Sequence, residues 1–152
     1  MLQEGQTAPE FELQDECGCT IRLKNSRGQP FVLYFYPRAD TPGCTAESCA
    51  FRDLFPKFQK VKVPVVGISP DDAAAQMKFK QKYSLPFPLL ADVGHKVAEA
   101  YGVWKEKNLY GKTTMGIERT TFIIDAQGKI QKIFPKVKVE GHADEVLAAL
   151  QG

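Results

Sequence analysis

The hydrophobic and polar positions along the chain predict strands that alternate with helices. Residues 31–36 are six consecutive apolar or aromatic residues closed by Pro37, a pattern typical of a strand buried on both faces. Shorter apolar runs predict four further strands, at residues 64–69, 86–91, 119–125 and 129–134. Alternating residues at 11–13 and 20–24, on either side of a turn centred on Gly18, predict an N-terminal β-hairpin.

Helical patterns fall between these predicted strands, at residues 43–59, 70–83, 94–101 and 141–150. Pro56 lies inside the first of them, where its missing N–H and its ring should kink the helix or end it early. Residues 103–116 show no clear period, so we expect a long, partly ordered connection there. The order of the elements predicts one α/β domain over residues 1–152, with a mixed central sheet flanked by helices.

Composition and charge narrow the functional classes. The 152 residues are 43% hydrophobic, and a net charge of +2 without any basic run gives no case for nucleic acid as a partner. The longest apolar run is six residues, far short of the roughly 20 that a membrane span needs. Residues 1–5 lack the cationic and apolar regions of a signal peptide, so we expect a cytoplasmic protein. Because thiols stay reduced in the cytoplasm, four cysteines favour catalysis or metal binding over structural disulfides.

Cys44 occupies the most informative position of the four. It follows the predicted buried strand and a Thr-Pro-Gly turn, and it opens the first long helix. The N-terminus of a helix is electropositive, because its first N–H groups lack partners and the peptide dipoles add. Both effects favour a thiolate over a thiol, so the sequence predicts a reactive cysteine at this junction.

Cys49 follows five residues after Cys44 on the same predicted helix. Five helical residues rise about 7.5 Å and turn through about 140°, which places the two Cα atoms about 8–9 Å apart. A disulfide requires Cα atoms within roughly 7 Å, so the two cysteines can bond only if part of the helix opens. Cys49 could equally be a packing residue on the inner face of the helix, and the spacing alone leaves both interpretations open.

Three other kinds of chemistry are compatible with the cysteines. Cys17 and Cys19 form a C-x-C pair in a turn, but zinc sites usually draw on C-x₂₋₄-C pairs, so exposed turn residues are the favoured interpretation. A nucleophilic Cys44 could attack a carbonyl with His95 or His142 as the base, although both histidines lie where structural roles are expected. A thiol–disulfide switch that binds partners and turns over little is the third alternative.

Several motifs together resemble one known family. The pattern Pro37-x-x-x-Thr41-x-x-Cys44 is similar to the active-site motif of the peroxiredoxins. The segment from Thr41 to Cys49 resembles their Q-type, or bacterioferritin-comigratory-protein, group. Further similarities cover essentially the whole chain, at residues 5–11, 101–104, 110–112, 115–125 and 141–143. The two cysteines of the N-terminal turn depart from this pattern.

The resemblance implies a thioredoxin-like fold with an N-terminal β-hairpin extension. It also implies a cofactor-free peroxidase that reduces hydrogen peroxide and organic hydroperoxides. In that assignment Cys44 is the peroxidatic cysteine and Cys49 the resolving one. Thr41 and Arg119 complete the site, and Pro37 shields it from water. Thioredoxin or a similar dithiol would recycle the enzyme, which is expected to be a monomer or a weak dimer.

Each implied role has a physical basis. Arg119 is a permanent cation that can hold Cys44 as a thiolate. The Thr41 hydroxyl can accept a hydrogen bond from the peroxide while donating one to sulfur, which aligns the O–O bond with the nucleophile. Backbone N–H groups at Gly43 and Cys44 can stabilise charge on the leaving oxygen. Glu47, one turn beyond Cys44, is expected to cap the helix or point outward.

Overall fold

The computed structural model describes residues 2–26 and 28–151 of the chain. The strands are β1 (Glu12–Gln14), β2 (Thr20–Arg22), β3 (Phe31–Phe35), β4 (Val65–Ser69), β5 (Leu89–Ala91), β6 (Trp104–Leu109), β7 (Lys112–Ile117), β8 (Thr120–Ile124) and β9 (Ile130–Phe134). The helices are α1 (Pro42–Lys60), α2 (Ala73–Tyr83), α3 (Lys96–Ala100) and α4 (His142–Gln151), and a 3₁₀ turn covers Leu23–Ser26.

Within the described residues, seven strands form one mixed sheet in the order β2-β1-β5-β4-β3-β8-β9. Strand β3 is parallel to β4, and β4 is parallel to β5. On its other side β3 is antiparallel to β8, which is antiparallel to β9. The β1–β2 hairpin joins the far edge through the pairing of Gln14 with Ala91. The expected mixed sheet and N-terminal hairpin are therefore confirmed.

Strand β3 is buried throughout because both faces of the sheet are covered. Val32 and Tyr34 face a core that includes side chains of α1, α2 and α4. Leu33 and Phe35 face a second core, which includes α3 and the segment around Phe11. The two faces explain why this strand reads as a continuous apolar run rather than an alternating one.

Helix α1 does not end early at Pro56, so that part of the expectation about the proline is wrong. The helix continues through Pro56 to Lys60. Proline removes one N–H donor from the helix interior. Phe51 and Phe58, which flank this position, are both fully buried in the core below the sheet. This burial fixes the helix on both sides of the proline.

The expectation of a partly ordered connection at residues 103–116 is also wrong. Strands β6 and β7 pair antiparallel over their whole length as a separate two-stranded sheet. Tyr110 and Gly111 connect them with positive φ angles of 54° and 76°. Two consecutive residues with positive φ make the tight turn whose twist matches a hairpin. We call residues 104–117 the β6–β7 hairpin.

Three predicted elements are shorter in the structure. Helix α2 begins at Ala73 instead of residue 70, because Asp72 is its N-cap. Strand β5 includes only the second half of residues 86–91, because Pro86 and Pro88 have no N–H to donate to a sheet. Helix α3 begins at Lys96 instead of residue 94, since His95 before it has a left-handed φ of 54°. No helix in the described part of the chain is both long and apolar enough to cross a membrane.

Candidate active site

The junction between β3 and α1 places Cys44 inside the protein. Thr41 is the N-cap residue of α1, with extended φ and ψ of −99° and 156°, and Pro42 is the first helical residue. Proline is favoured there because the first helical N–H has no partner within the helix. Cys44 is therefore the third residue of α1, among the N–H groups that the helix leaves free, and its side chain is fully buried.

Arg119 reaches Cys44 because β8 runs antiparallel to β3. The register pairs Phe35 at the end of β3 with Thr120 at the start of β8. Arg119, one residue earlier, therefore lies beside the junction. Its Nη2 donates to the Cys44 sulfur over 3.3 Å, and only 16% of its side chain is exposed. A buried sulfur that accepts from a permanent cation is a favourable setting for a thiolate.

Glu47 belongs to this site, and the expectation that it caps the helix or points outward is wrong. Its side chain is 1% exposed, and Oε1 accepts a hydrogen bond from Arg119 Nη1 over 2.7 Å. Burial raises the pKa of Glu47 to about 7, against the lowering effect of Arg119. The three-residue spacing between Cys44 and Glu47 could have indicated this position. Residues three apart lie on the same face of a helix, and Cys44 faces the interior.

Arg119 is thus held between two groups on α1. Burial disfavours its charge, but Glu47 and Cys44 outweigh that effect and raise the pKa of Arg119. Gly43 makes the close approach possible: a Cβ at this position would lie 3.1 Å from Arg119 Nη2. The absence of a side chain at Gly43 lets the guanidinium sit against the first turn of the helix.

Thr41 and Pro37 lie in the segment before the helix. The Thr41 hydroxyl donates to the Arg38 carbonyl over 2.9 Å, so the expected donation from Thr41 to sulfur is not made in this arrangement. The oxygen of Thr41 keeps its lone pairs as acceptors. Pro37 is half-buried and lies two residues beyond the end of β3.

Two aspartates that sequence reasoning missed hold the loop before Cys44. Asp71 accepts from the Ala39 backbone N–H over 2.7 Å. Asp40 has a left-handed φ of 59° and accepts from Lys82 over 2.9 Å and from the Tyr83 hydroxyl over 2.7 Å. These two partners lower the pKa of Asp40, so it serves as a carboxylate anchor. Helix α2 thereby helps to fix the position of the reactive loop.

Cys49 lies on the same unbroken helix as Cys44. It is half-buried, and both cysteines are free thiols. The neighbouring Ser48 shares a buried hydrogen bond of 2.8 Å with Tyr34 of β3, which ties this turn of the helix to the sheet. With α1 intact from Pro42 to Lys60, the two sulfurs are kept apart as the helical spacing predicted.

Neither histidine hydrogen-bonds to Cys44 among the described residues. His142 is buried: Nε2 pairs with the Thr121 hydroxyl over 2.8 Å and Nδ1 with Glu145 over 3.0 Å. Burial lowers the pKa of His142, consistent with a neutral structural ring. His95 stacks on Trp104 with 3.7 Å between ring centroids. Within the described residues, neither histidine is therefore placed to act as the base of a cysteine hydrolase.

Cys17 and Cys19 are exposed in the β1–β2 turn. Asp15 shapes this turn by accepting from the backbone N–H of Cys17 over 2.9 Å and of Cys19 over 3.0 Å. Potential ligand atoms of Asp15, Glu16 and Cys17 lie within 4.8 Å of one another. However, Glu16 is already bound to Lys80. Its hydrogen bond and charge raise the pKa of the Cys17 thiol, which makes Cys17 a poor nucleophile.

A buried cysteine at a helix N-terminus, held by an arginine from a neighbouring strand, is the arrangement of a thiol-dependent enzyme. Residues 5–133 match the AhpC/TSA family. A putative peroxiredoxin Bcp of Coxiella burnetii is 50% identical over 149 residues, which are 98% of this chain and 99% of that protein. The peroxiredoxin Bcp of Bacillus subtilis is 47% identical over 150 residues, which are 99% of this chain and 96% of that protein.

Solved structures give the same result. Peroxiredoxin Q of Xanthomonas campestris has a TM-score of 0.89 at 41% identity, covering 93% of this chain and 89% of that chain. A bacterioferritin comigratory protein of the same organism, solved as trapped intermediate and ligand complexes bearing on alkyl peroxide reduction, has a TM-score of 0.89 at 40% identity. It covers 93% of this chain and 90% of that chain. The chain therefore belongs to the AhpC/TSA family, and it is a peroxidase with the thioredoxin-like fold of the peroxiredoxins.

Proposed function

We propose that this peroxidase reduces hydrogen peroxide and organic hydroperoxides with Cys44 as the nucleophile and Cys49 as the resolving cysteine. The observation that carries the proposal is the hydrogen bond from Arg119 Nη2 to the buried Cys44 sulfur. A thiolate, not a thiol, attacks the O–O bond, and a buried sulfur needs such a cation to remain ionised.

In the first step the Cys44 thiolate attacks the terminal oxygen of the peroxide. A sulfur–oxygen bond forms as the oxygen–oxygen bond breaks, so sulfur is oxidised to sulfenic acid and the leaving oxygen departs as alkoxide or hydroxide. That oxygen gains a proton from water and leaves as alcohol or water. The free N–H groups of Gly43 and Cys44 and the guanidinium of Arg119 stabilise its charge. Thr41 accepts from the peroxide hydroxyl, and Pro37 limits access of water.

In the second step the Cys49 sulfur attacks the Cys44 sulfur. A sulfur–sulfur bond forms, the sulfur–oxygen bond breaks, and the oxygen leaves as water with the proton of the Cys49 thiol. This requires the first turns of α1 to open, because an intact helix keeps the two Cα atoms about 8–9 Å apart. A dithiol protein such as thioredoxin then reduces the disulfide by exchange and is itself oxidised.

We further propose that residues 1–152 act as a single domain and a monomer in the cytoplasm. All four cysteines are free, and two of them are exposed. Exposed free thiols persist best in a reducing compartment. Sedimentation of the reduced protein at the mass of one chain would support the monomer, and sedimentation at twice that mass would overturn it.

Steady-state peroxide consumption tests the proposal. Wild type, Cys44→Ser and Cys49→Ser would be compared with thioredoxin, thioredoxin reductase and NADPH. We expect no turnover for Cys44→Ser. For Cys49→Ser we expect one rapid equivalent of peroxide and then arrest, unless an added small thiol replaces Cys49.

Three other results of this assay would each overturn a different part of the proposal. Full multiple turnover of Cys49→Ser with thioredoxin would overturn the resolving role of Cys49. Activity of Cys44→Ser would overturn the nucleophile. Oxidation of the wild type by one equivalent without further consumption would identify a redox sensor instead of a peroxidase that turns over.

A further inference from the structure

One buried cation binds two acidic side chains at the start of α1. Arg119 donates through Nη2 to the Cys44 sulfur over 3.3 Å and through Nη1 to Glu47 Oε1 over 2.7 Å. Cys44 is fully buried, and Glu47 is 1% exposed. If both acids were ionised, the site would bury two negative charges against one positive charge, which is costly away from water. The site therefore favours one anion and one protonated acid.

The hydrogen bonds indicate which of the two acids keeps its proton. Oε2 of Glu47 is buried and has no hydrogen-bond partner among the described residues. A carboxylate carries its charge on both oxygens, so a buried oxygen without a donor disfavours the ionised form. In a neutral carboxyl, Oε1 can still accept from Arg119 while Oε2 carries the proton. The Cys44 sulfur, by contrast, lies at the helix N-terminus, where free N–H groups favour an anion.

Three other titratable groups act on this site from neighbouring elements. Burial raises the pKa of Tyr34 on β3, so its phenol stays neutral in the hydrogen bond with Ser48. Burial lowers the pKa of His142 on α4, and burial together with the charge of Arg119 lowers the pKa of Lys107 on β6.

None of these three groups hydrogen-bonds to Glu47 within the described residues, where its partner is Arg119. Burial raises the pKa of Glu47 to about 7, and Arg119 opposes that rise. Because Arg119 also binds the Cys44 sulfur, a change of charge on sulfur changes how strongly the guanidinium favours ionised Glu47. The protonation of Glu47 is therefore linked to the state of Cys44.

We propose that Glu47 is the proton store of the peroxidatic site: it holds a proton while Cys44 is a thiolate and releases it when Cys44 becomes a sulfenic acid. The proposal rests on Cys44 being the nucleophile of the proposed function. A protonated sulfenic acid carries no charge, so Arg119 then has one acid left to neutralise, and Glu47 ionises. Glu47 acts on sulfur through Arg119 and does not touch the peroxide.

The protons balance over the whole cycle. The Cys44 thiolate, protonated Glu47 and a hydroperoxide give Cys44 sulfenic acid, ionised Glu47 and an alcohol. Sulfur is oxidised and the peroxide is reduced. The proton that the leaving oxygen takes from water is replaced by the one from Glu47, so the net charge of the site is unchanged. When a dithiol later regenerates the Cys44 thiol, the thiol proton passes to the Glu47 carboxylate and restores the starting state.

Proton uptake during a single turnover tests the proposal. A background of Cys17→Ser, Cys19→Ser and Cys49→Ser stops the reaction at the sulfenic acid. This protein is mixed with one equivalent of hydrogen peroxide at about pH 6, below the pKa of Glu47, in dilute buffer with a pH indicator. We expect Glu47→Gln in this background to take up about one more proton per peroxide than the background itself, because glutamine has no proton to release.

Two further measurements separate this role from a structural one. Glu12→Gln removes the carboxylate of an exposed glutamate–arginine pair and should take up as many protons as the background. If Glu47→Gln fails to fold, infrared difference spectra of the background protein before and after peroxide provide the test. We expect oxidation to remove the band of a protonated carboxyl and to add the bands of a carboxylate.

The proposal is overturned if folded Glu47→Gln and the background take up the same number of protons per peroxide. It is also overturned if Glu12→Gln changes proton uptake as much as Glu47→Gln does, or if oxidation removes no protonated-carboxyl band from the background protein. Failure of the proposed function gives a different result: the background protein would consume no peroxide, because Cys44 would not be the nucleophile.

Discussion

Glu47 and Arg119 form an ion pair of 2.7 Å that is almost completely withdrawn from solvent, and the same guanidinium donates to the Cys44 sulfur. The carboxylate orients the arginine but also competes with the thiolate for its charge. Burying an ion pair costs desolvation free energy. The Glu47–Arg119 pair contributes to the site by holding the guanidinium in one orientation.

The first prediction concerns the pH dependence of stability. The pKa of Glu47 rises from an ordinary 4.5 to about 7 on folding. Between these values the folded protein holds a proton that the unfolded chain has released. Stability from this group is therefore complete below pH 4.5 and declines as pH rises towards 7.

Urea unfolding of wild type and Glu47→Gln across this range measures the effect. The glutamine variant cannot titrate at this position, so the difference between the two proteins cancels other groups. We expect the stability of wild type relative to Glu47→Gln to fall by roughly 1–3 kcal/mol from low to high pH. A constant difference across the range would show that the carboxyl of Glu47 titrates normally.

The second prediction is that Arg119→Lys reduces the rate of peroxide reduction by about a hundredfold, the typical loss of one stabilising donor. A single ammonium cannot reproduce the two-pronged contact with Glu47 and Cys44. Stopped-flow measurement of one peroxide equivalent checks this. Arg22→Lys, in the exposed pair with Glu12, is the matched control and should react like wild type. If the Arg119→Lys variant reduced peroxide at the wild-type rate, the simultaneous contacts of the guanidinium with Glu47 and Cys44 would not be needed for activity.

The third prediction separates activity from stability at Gly43. An added Cβ would lie 3.1 Å from Arg119 Nη2, so Gly43→Ala should push the guanidinium away from sulfur. We expect peroxide reduction to slow by about tenfold, because small misplacements of a catalytic group are costly. Stability should be equal or higher, since alanine favours a helix by about 1 kcal/mol over glycine. Ala46→Ser, exposed in the same turn, serves as the control. Unchanged kinetics in Gly43→Ala would contradict the close packing of Arg119 on the helix.

The fourth prediction is that α1 opens when the disulfide forms. Amide hydrogen exchange over residues 45–52 should be slow in the reduced protein and fast in the oxidised one, because the Cys44–Cys49 bond cannot form in an intact helix. Peroxide-treated Cys49→Ser, which cannot form the bond, should stay protected. Equal protection in the reduced and oxidised wild type would rule out helix opening.

The sequence was sufficient for the parts of the fold with strong local signals. The apolar run of β3, the Thr-Pro-Gly segment at the start of α1 and the turn at Gly18 each predicted the element that the structure contains. The β6–β7 hairpin was not predicted, because most of β7 is exposed and its side chains show no burial pattern. Its order comes from cross-strand pairing and from the turn at Tyr110 and Gly111. The Tyr110–Gly111 turn was the feature of the sequence that could have indicated a hairpin here.

The candidate site was predicted in part. Cys44 and Arg119 are brought together as the family resemblance implied, although 75 residues separate them in the chain. Glu47 was misplaced because its role depends on Arg119, which only the pairing of β8 with β3 brings near. The anchoring of Asp40 by Lys82 and Tyr83 depends likewise on how α2 packs, which no local pattern shows.

The most direct test of the account is a peptide map after one equivalent of hydrogen peroxide and blocking of free thiols. Trypsin should release residues 39–52, which contain Cys44 and Cys49, separately from residues 1–22, which contain Cys17 and Cys19. We predict that peptide 39–52 is unblocked and two hydrogen atoms lighter, while peptide 1–22 carries two blocking groups. A persistent sulfenic acid on Cys44, or a disulfide joining peptide 39–52 to peptide 1–22 or to a second chain, would contradict the assignment of Cys49.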